Sequence, residues 1–258
     1  MRNGRFFVSL FLLLGSVIVL FLLVPVGKLL ISVGLLRILD TISQPEVYSS
    51  IWLTLSTALY AVLFVAVTGI PLAYVIARYD FWGKSLLESL LDIPVMVPHT
   101  AAGIALLIAF GNGWMDRVGL GFIDSTMGIM AAMMFLSAPF LINGAKEGFR
   151  KVDPKLERVA RTLGAGPMRT FWRIALPNAR GDIINGALMM WSRALGEFGA
   201  VVIIAYHPMV APVLIYDRFN SFGLKFSAPV AAAMILVSVV LFLIIRFLNN
   251  RYRNRRDS

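Results

Sequence analysis

The segment Asp153-Pro154-Lys155-Leu156-Glu157-Arg158-Val159-Ala160-Arg161-Thr162-Leu163-Gly164-Ala165-Gly166-Pro167-Met168-Arg169-Thr170-Phe171-Trp172-Arg173-Ile174-Ala175-Leu176-Pro177 governs how the rest of the chain is read. It lies within 146–182, a stretch of 37 residues with nine Lys/Arg that is the only long polar interruption between apolar runs. Asp153 before Pro154 is a helix start, an N-cap acceptor followed by proline at the first helical position. Leu156, Val159, Ala160 and Leu163 fall at i, i+3, i+4, i+7, a one-sided apolar stripe. Gly164 supplies a left-handed stop. Gly166-Pro167 starts a second helix, in which Met168, Phe171, Trp172 and Ala175 repeat the spacing, and Pro177 is expected to end it. Helices of about ten residues, roughly 15 Å long, are marginal alone in water. Both stripes must therefore pack on the ends of neighbouring spans or on a partner. The plainer alternative is a basic connector lying on anionic lipid.

Working outward, the 258 residues are 59% hydrophobic and only 15% charged, with a mean hydropathy of +0.80. Soluble domains carry roughly 25% charged residues, so the chain reads as an all-α integral membrane protein with a single membrane domain, 1–258. Crossing the hydrocarbon core takes about 20 apolar residues. Six spans are expected, at about 6–27, 47–77, 93–115, 125–145, 183–206 and 226–245. The first is too long for the apolar core of a secretory leader and is read as retained. Placing the N-terminus inside puts 18 Lys/Arg on the cytoplasmic side and five outside, with Arg193 within a span. Both termini are then cytoplasmic in a multi-pass cell-membrane protein. That split accounts for the net charge of +10 without nucleic acid. The absence of cysteine rules out disulfides and thiolate metal sites, and two distant histidines, His99 and His207, do not make a metal cluster.

Within the spans, Arg193 and Glu197 are four residues apart and can face each other on one helix. An intramembrane charge is a functional candidate by default; the pair is either part of a pathway or a self-neutralising structural tie. No set of unpaired cations is present to grip an anion. Pro94 and Pro98 predict a broken helix, which either lines a path together with Thr100 or is a simple bend. His99 reads as an interfacial residue. Glycines and alanines such as Gly103, Ala105, Gly128, Ala131, Ala132, Gly186 and Ala187 favour close helix contacts. Gly83-Lys84-Ser85 imitates the end of a phosphate loop, but Arg78 stands where that motif needs glycine, so no nucleotide site is read here. No hydroxyl has a catalytic partner set, and an enzyme is not expected.

The run Leu156 to Gly164, with Phe171 to Pro177, resembles the EAA loop of ABC-importer permeases. Arg158-Val159-Ala160 occupy the Glu-Ala-Ala positions, Glu157 sits one place early, and Gly164 and Leu176-Pro177 match. Arg193-Ala194-Leu195-Gly196-Glu197-Phe198-Gly199-Ala200 is similar to a stretch of molybdate, tungstate and sulfate permeases. The runs Asp92 to Ala105 and Ala205 to Tyr216 resemble the archaeal-type molybdate/tungstate branch. The resemblance implies a type I importer fold, a homodimer, and a cytoplasmic ABC ATPase docked through Asp153, Glu157, Arg158, Ala160, Leu163, Gly164 and Pro177. It also implies an extracytoplasmic molybdate/tungstate-binding protein. ATP and magnesium would belong to the ATPase, leaving this chain without a cofactor. Sulfate or thiosulfate is the alternative cargo, and an ion-gradient carrier the alternative class.

Overall fold

A computed structural model of the chain describes residues 2–113, 117 and 121–254; the end of the expected third span at Met115 and the tail residues Arg255 and Arg256 lie outside them. Side chains are described for 7–113, 117, 121–245 and 247. The described residues are helical with no strand, as expected for backbone that must satisfy its own hydrogen bonds in lipid. They fall into two units.

The first unit comprises 1–49 and 214–258. Here α1 (Arg2–Val33) is a long apolar helix, and Gly34 (φ 79°) turns it into the short amphipathic α2 (Leu35–Ser43). Ile38 and Thr41 are buried on α2, which rests against the final helix (Leu224–Asn254). Arg218 bridges to Glu46 at 2.6 Å.

The second unit, 50–213, holds most of α3 (Pro45–Arg78), then α4 (Lys84–Met96), α5 (His99–Phe110), α6 (Thr126–Lys151), α7 (Pro154–Thr162), α8 (Pro167–Thr170), a π-helical stretch (Phe171–Ala175), α9 (Leu176–Leu195) and α10 (Val201–Ile204). Its centre is the α6–α9 pair. A Cβ on Gly144 would stand 2.7 Å from the Cα of Gly186, and one on Gly148 would stand 2.8 Å from the Asp182 side chain. Only glycine at these two places, one turn apart, lets the backbones come so close.

Among the described residues, four helices are long and apolar enough to cross a membrane: Phe7–Val33, Pro45–Arg78, Thr126–Lys151 and Leu224–Ile245. The pair α4 and α5, bent by 114°, makes a fifth if counted as one crossing. The break that Pro94 and Pro98 predict at the start of 93–115 falls at Val97 and Pro98, with Pro94 inside α4. Pro98 forces Val97 before it into extended backbone (φ −75°, ψ 133°) and cannot donate to a continuing helix. The expected span at 183–206 is also not continuous. Its helix starts earlier, at Leu176, and stops at Leu195, because Gly196 and Glu197 turn the chain inward before the short α10.

The expectation that Pro177 ends a helix is overturned. Helical backbone runs without a gap from Pro167 to Leu195, with Pro177 in the first turn of α9. Proline removes one bond and crowds the carbonyl four residues back, here Arg173. That residue lies in the π-helical stretch, whose wider turn absorbs the conflict.

Candidate functional site: a polar connector and a bent helix pair

The polar connector is built around one buried carboxylate. Asp153 caps α7 by accepting from the Lys155 amide at 2.8 Å, as its sequence position predicts. Glu157, four residues on, does not face outward. It is 2% exposed, accepts from the Tyr74 hydroxyl at 2.7 Å and from Arg78 Nε at 2.7 Å, and lies 3.5 Å from Arg161. Arg78 also donates to the Val152 carbonyl at the end of α6, 2.9 Å away. One guanidinium therefore ties the ends of α3 and α6 to α7. Beneath it, the rings of Tyr74, Phe149 and Phe171 lie with Tyr74 5.2 Å from Phe149 and 5.0 Å from Phe171. Glu157 is an internal anchor, not an offered docking group.

Because that anchor fixes the inner face of α7, the apolar stripe points away. Leu156, Val159 and Leu163 are exposed, Leu163 at 83%, and so are Met168 and Trp172 next to them. The second stripe divides: Phe171 and Ala175 pack on the ends of the chain's own helices, while Met168 and Trp172 stay outside with Leu156, Val159 and Leu163. Gly164 takes φ 85° with open space around its Cα, and the amides of Gly164 and Ala165 return to the carbonyls of Arg161 and Ala160 at 3.0 and 2.9 Å. The turn needs a left-handed residue and sets the angle between α7 and α8. Arg158 is exposed and Ala160 half-buried. Just outside the connector, the Lys84 ammonium, 2.8 Å from the exposed Asp80 carboxylate, holds Asp80 below the ordinary carboxylate range by hydrogen bond and charge.

The second site lies where α5 meets the end of α9. Glu197 is 1% exposed and accepts from the Ala200 amide at 3.0 Å. Arg193 Nη1 is 3.8 Å from its Oε2. The sequence pairing of these two is present, but a third group comes closer: His99 Nδ1 stands 2.8 Å from Oε2, without hydrogen-bond alignment, so that Oε2 has no hydrogen bond. Arg193 Nη2 meets the other ring nitrogen, His99 Nε2. A Cβ on Gly199 would sit 2.6 Å from His99 Cβ, and one on Gly103 2.9 Å from the Ala200 backbone. These two glycines admit α5 against the turn after α9.

A cleft of about 520 Å³ lies between α4, α6 and α9, lined by Asp92, Met96, Asn143, Asp182, Gly186 and Met189 among others. Met189 is one turn before Arg193, and Asp92 accepts from Asn143 at 2.7 Å. Pro94 lines a separate apolar cleft of about 390 Å³ with Phe64, Phe110 and Met134. Pro98 is the N-cap of α5, and Thr100 is exposed on its first turn. His207 is exposed, in a loop whose Tyr206 and His207 amides donate to Asp124 at 3.0 and 3.4 Å. Among the described residues no group of three His, Cys, Asp or Glu could hold a metal.

Sequence reading missed Tyr74, Arg78, His99 and the Gly144/Gly148 pair. The last carried a signal, since Gly144-x-x-x-Gly148 is the small-residue spacing of close membrane packing. The first three carried none, because their partners lie 94 (Arg193), 83 and 79 (Glu157) positions away.

Long apolar helices, a bent helix pair among them and a polar connector with an exposed apolar face fit the permease subunit of an ABC-type importer. The chain belongs to the family of binding-protein-dependent transport system inner membrane components, whose defining pattern matches residues 69–254. It is 43% identical, over 94% of its length and 96% of the relative's, to the molybdate/tungstate transport system permease protein of Thermococcus kodakarensis. It is 39% identical to the protein of that name from Methanocaldococcus jannaschii, over 92% and 94%. A sulfate transport system permease protein of Synechocystis is 32% identical over 92% and 88%. The fold is that of a chain of the bacterial alginate ABC transporter crystallised with an alginate pentasaccharide-bound periplasmic protein (TM-score 0.73, 98% and 96% covered, 16% identical). A chain of the inward-facing MetNI methionine ABC transporter is similar at TM-score 0.63, 81% and 97% covered, 19% identical.

Proposed function

We propose that the chain is the permease subunit of an ATP-driven importer of molybdate or tungstate, with two copies forming the pathway. Each copy docks one cytoplasmic ABC ATPase through the platform at 153–177, and both termini lie on that side of the membrane. The observation that carries the docking role is the uncovered stripe of Leu156, Val159, Leu163, Met168 and Trp172, held outward by the Glu157–Arg78 anchor. A solvated connector has no need of such an anchor under its polar face. The 39–43% identity to molybdate/tungstate permeases, against 32% to a sulfate permease, supports the cargo class.

ATP and magnesium act on the partner, so the permease's part is mechanical. ATPase closure displaces α7 and α8, and the unbroken helical run from Pro167 to Leu195 carries the displacement roughly 40 Å toward the α4–α5 hinge. Arg193 is offset by Glu197, so the pathway holds the anion weakly, as conduction requires. Selection then falls to an extracytoplasmic binding protein. The test is uptake by the complex of permease, ATPase and binding protein in proteoliposomes, with labelled molybdate, tungstate and sulfate in competition. ATP-dependent uptake of molybdate and tungstate, blocked by each other and not by sulfate, is expected. Uptake of sulfate alone would overturn the cargo, and gradient-driven uptake by the permease alone would overturn the class.

A further inference from the structure

We infer that His99 is a positioning residue for transport: it clasps Arg193, at the end of the helical run from the docking platform, to the upper arm of the membrane hinge, α5. The inference rests on the proposed coupling to an ATPase.

Arginine carries only donors, so in its contact with Arg193 Nη2 the ring nitrogen His99 Nε2 is the accepting atom. The other ring nitrogen, Nδ1, stands 2.8 Å from Glu197 Oε2 without hydrogen-bond alignment. The imidazole thus lies between the guanidinium and the buried carboxylate. Glu197 holds the loop end of the arrangement through the Ala200 amide.

The two arms of the hinge are secured differently. The lower arm, α4, is tied to α6 by Glu88 with Arg150 at 2.8 Å and by Asp92 with Asn143 at 2.7 Å. The upper arm, α5 (His-Thr-Ala-Ala-Gly-Ile-Ala-Leu-Leu-Ile-Ala-Phe), has His99 as its one ionisable residue. Its contacts with Gly199 and Ala200 are apolar packing without direction. His99 therefore supplies the polar tie between this arm and the end of α9, so that a pull on α9 reaches α5 through a fixed point. The polar cluster is not itself a tight anion site, because the carboxylate cancels the guanidinium.

The test compares His99→Leu, which removes both ends of the bridge at similar size, with His99→Gln, whose carboxamide has an acceptor for Arg193 and a donor for Glu197. In proteoliposomes holding permease, ATPase and binding protein, His99→Leu should keep binding-protein-stimulated ATP hydrolysis near the wild-type rate while oxyanion uptake falls about tenfold or more, the size of a typical coupling free energy. His99→Gln should restore most of that uptake. Wild-type uptake by His99→Leu overturns the clasp, as does joint loss of hydrolysis and uptake, or a Gln variant no better than Leu. A second measurement needs no ATPase: a stability cycle of His99→Leu and Arg193→Gln in the purified permease should be non-additive. If the wild-type complex shows no ATP-driven uptake, the proposed function fails, and this cycle alone decides the clasp; additivity overturns it.

Discussion

Two buried glutamates in the same unit are held in opposite ways. Glu157 has a hydroxyl and a guanidinium at 2.7 Å and a second arginine at 3.5 Å. Glu197, just as buried, has one amide at 3.0 Å, an unaligned imidazole and an arginine 3.8 Å away. Both carboxylates are removed from water, which is costly without full compensation. The first is compensated and therefore rigid, as the proposed docking role asks of an anchor. The second is under-compensated and therefore closer to an alternative arrangement, as the proposed coupling asks of the bent α4–α5 pair.

The largest effect should come from the anchor. Glu157→Ala leaves Arg78 buried without its carboxylate and should cost about 3–5 kcal/mol in a detergent unfolding titration, the range for breaking a buried pair. A loss below 1 kcal/mol, roughly that of an exposed pair, would end the contrast. Next is the turn between α7 and α8. Gly164→Val places a side chain at φ 85°, at a cost of roughly 1–2 kcal/mol, and should lower ATPase recovery on co-purification; unchanged stability and recovery would contradict the left-handed turn. Glu197→Gln comes third. The amide keeps an acceptor for Ala200, so stability should fall by about 1 kcal/mol or less, while uptake drops because the hinge loses its charge tie. A destabilisation as large as that of Glu157→Ala would show the two sites to be alike. The smallest effect is expected for Lys84→Ala. Asp80 and Lys84 are a solvent-facing pair, and melting should not shift measurably. With that pair intact, the Asp80 carboxyl should titrate below the ordinary range, and in the variant it should return to it.

What the sequence made legible follows from the range of each interaction. The apolar runs, the Asp153 cap, the Gly164 turn and the outward stripe at 156–163 are local patterns, and the structure contains them. The break at Pro98 was equally local, since proline constrains the residue before it. The continuation of helix through Pro177 was not legible, because whether a proline ends a helix or merely widens one turn depends on what packs around it. The inward orientation of Glu157 was hidden for a related reason. A charged residue on a basic amphipathic helix reads as solvated unless its partner is known, and Arg78 is 79 positions away. His99 looked like an interfacial residue for the same cause: nothing near it in sequence hints at Arg193 or Glu197.

The claim on which the account turns is that the stripe held out by Glu157 is the ATPase-docking surface. The chain contains no cysteine, so a single cysteine at Leu163 gives an unambiguous cross-linking probe, with one at the membrane-facing Leu13 as control. In the assembled complex, a short reagent with one thiol-reactive and one photoreactive end, attached at Leu163→Cys, should join permease to ATPase in high yield, and the same reagent at Leu13→Cys should not. A complex that transports normally yet gives no cross-link from Leu163→Cys would contradict it.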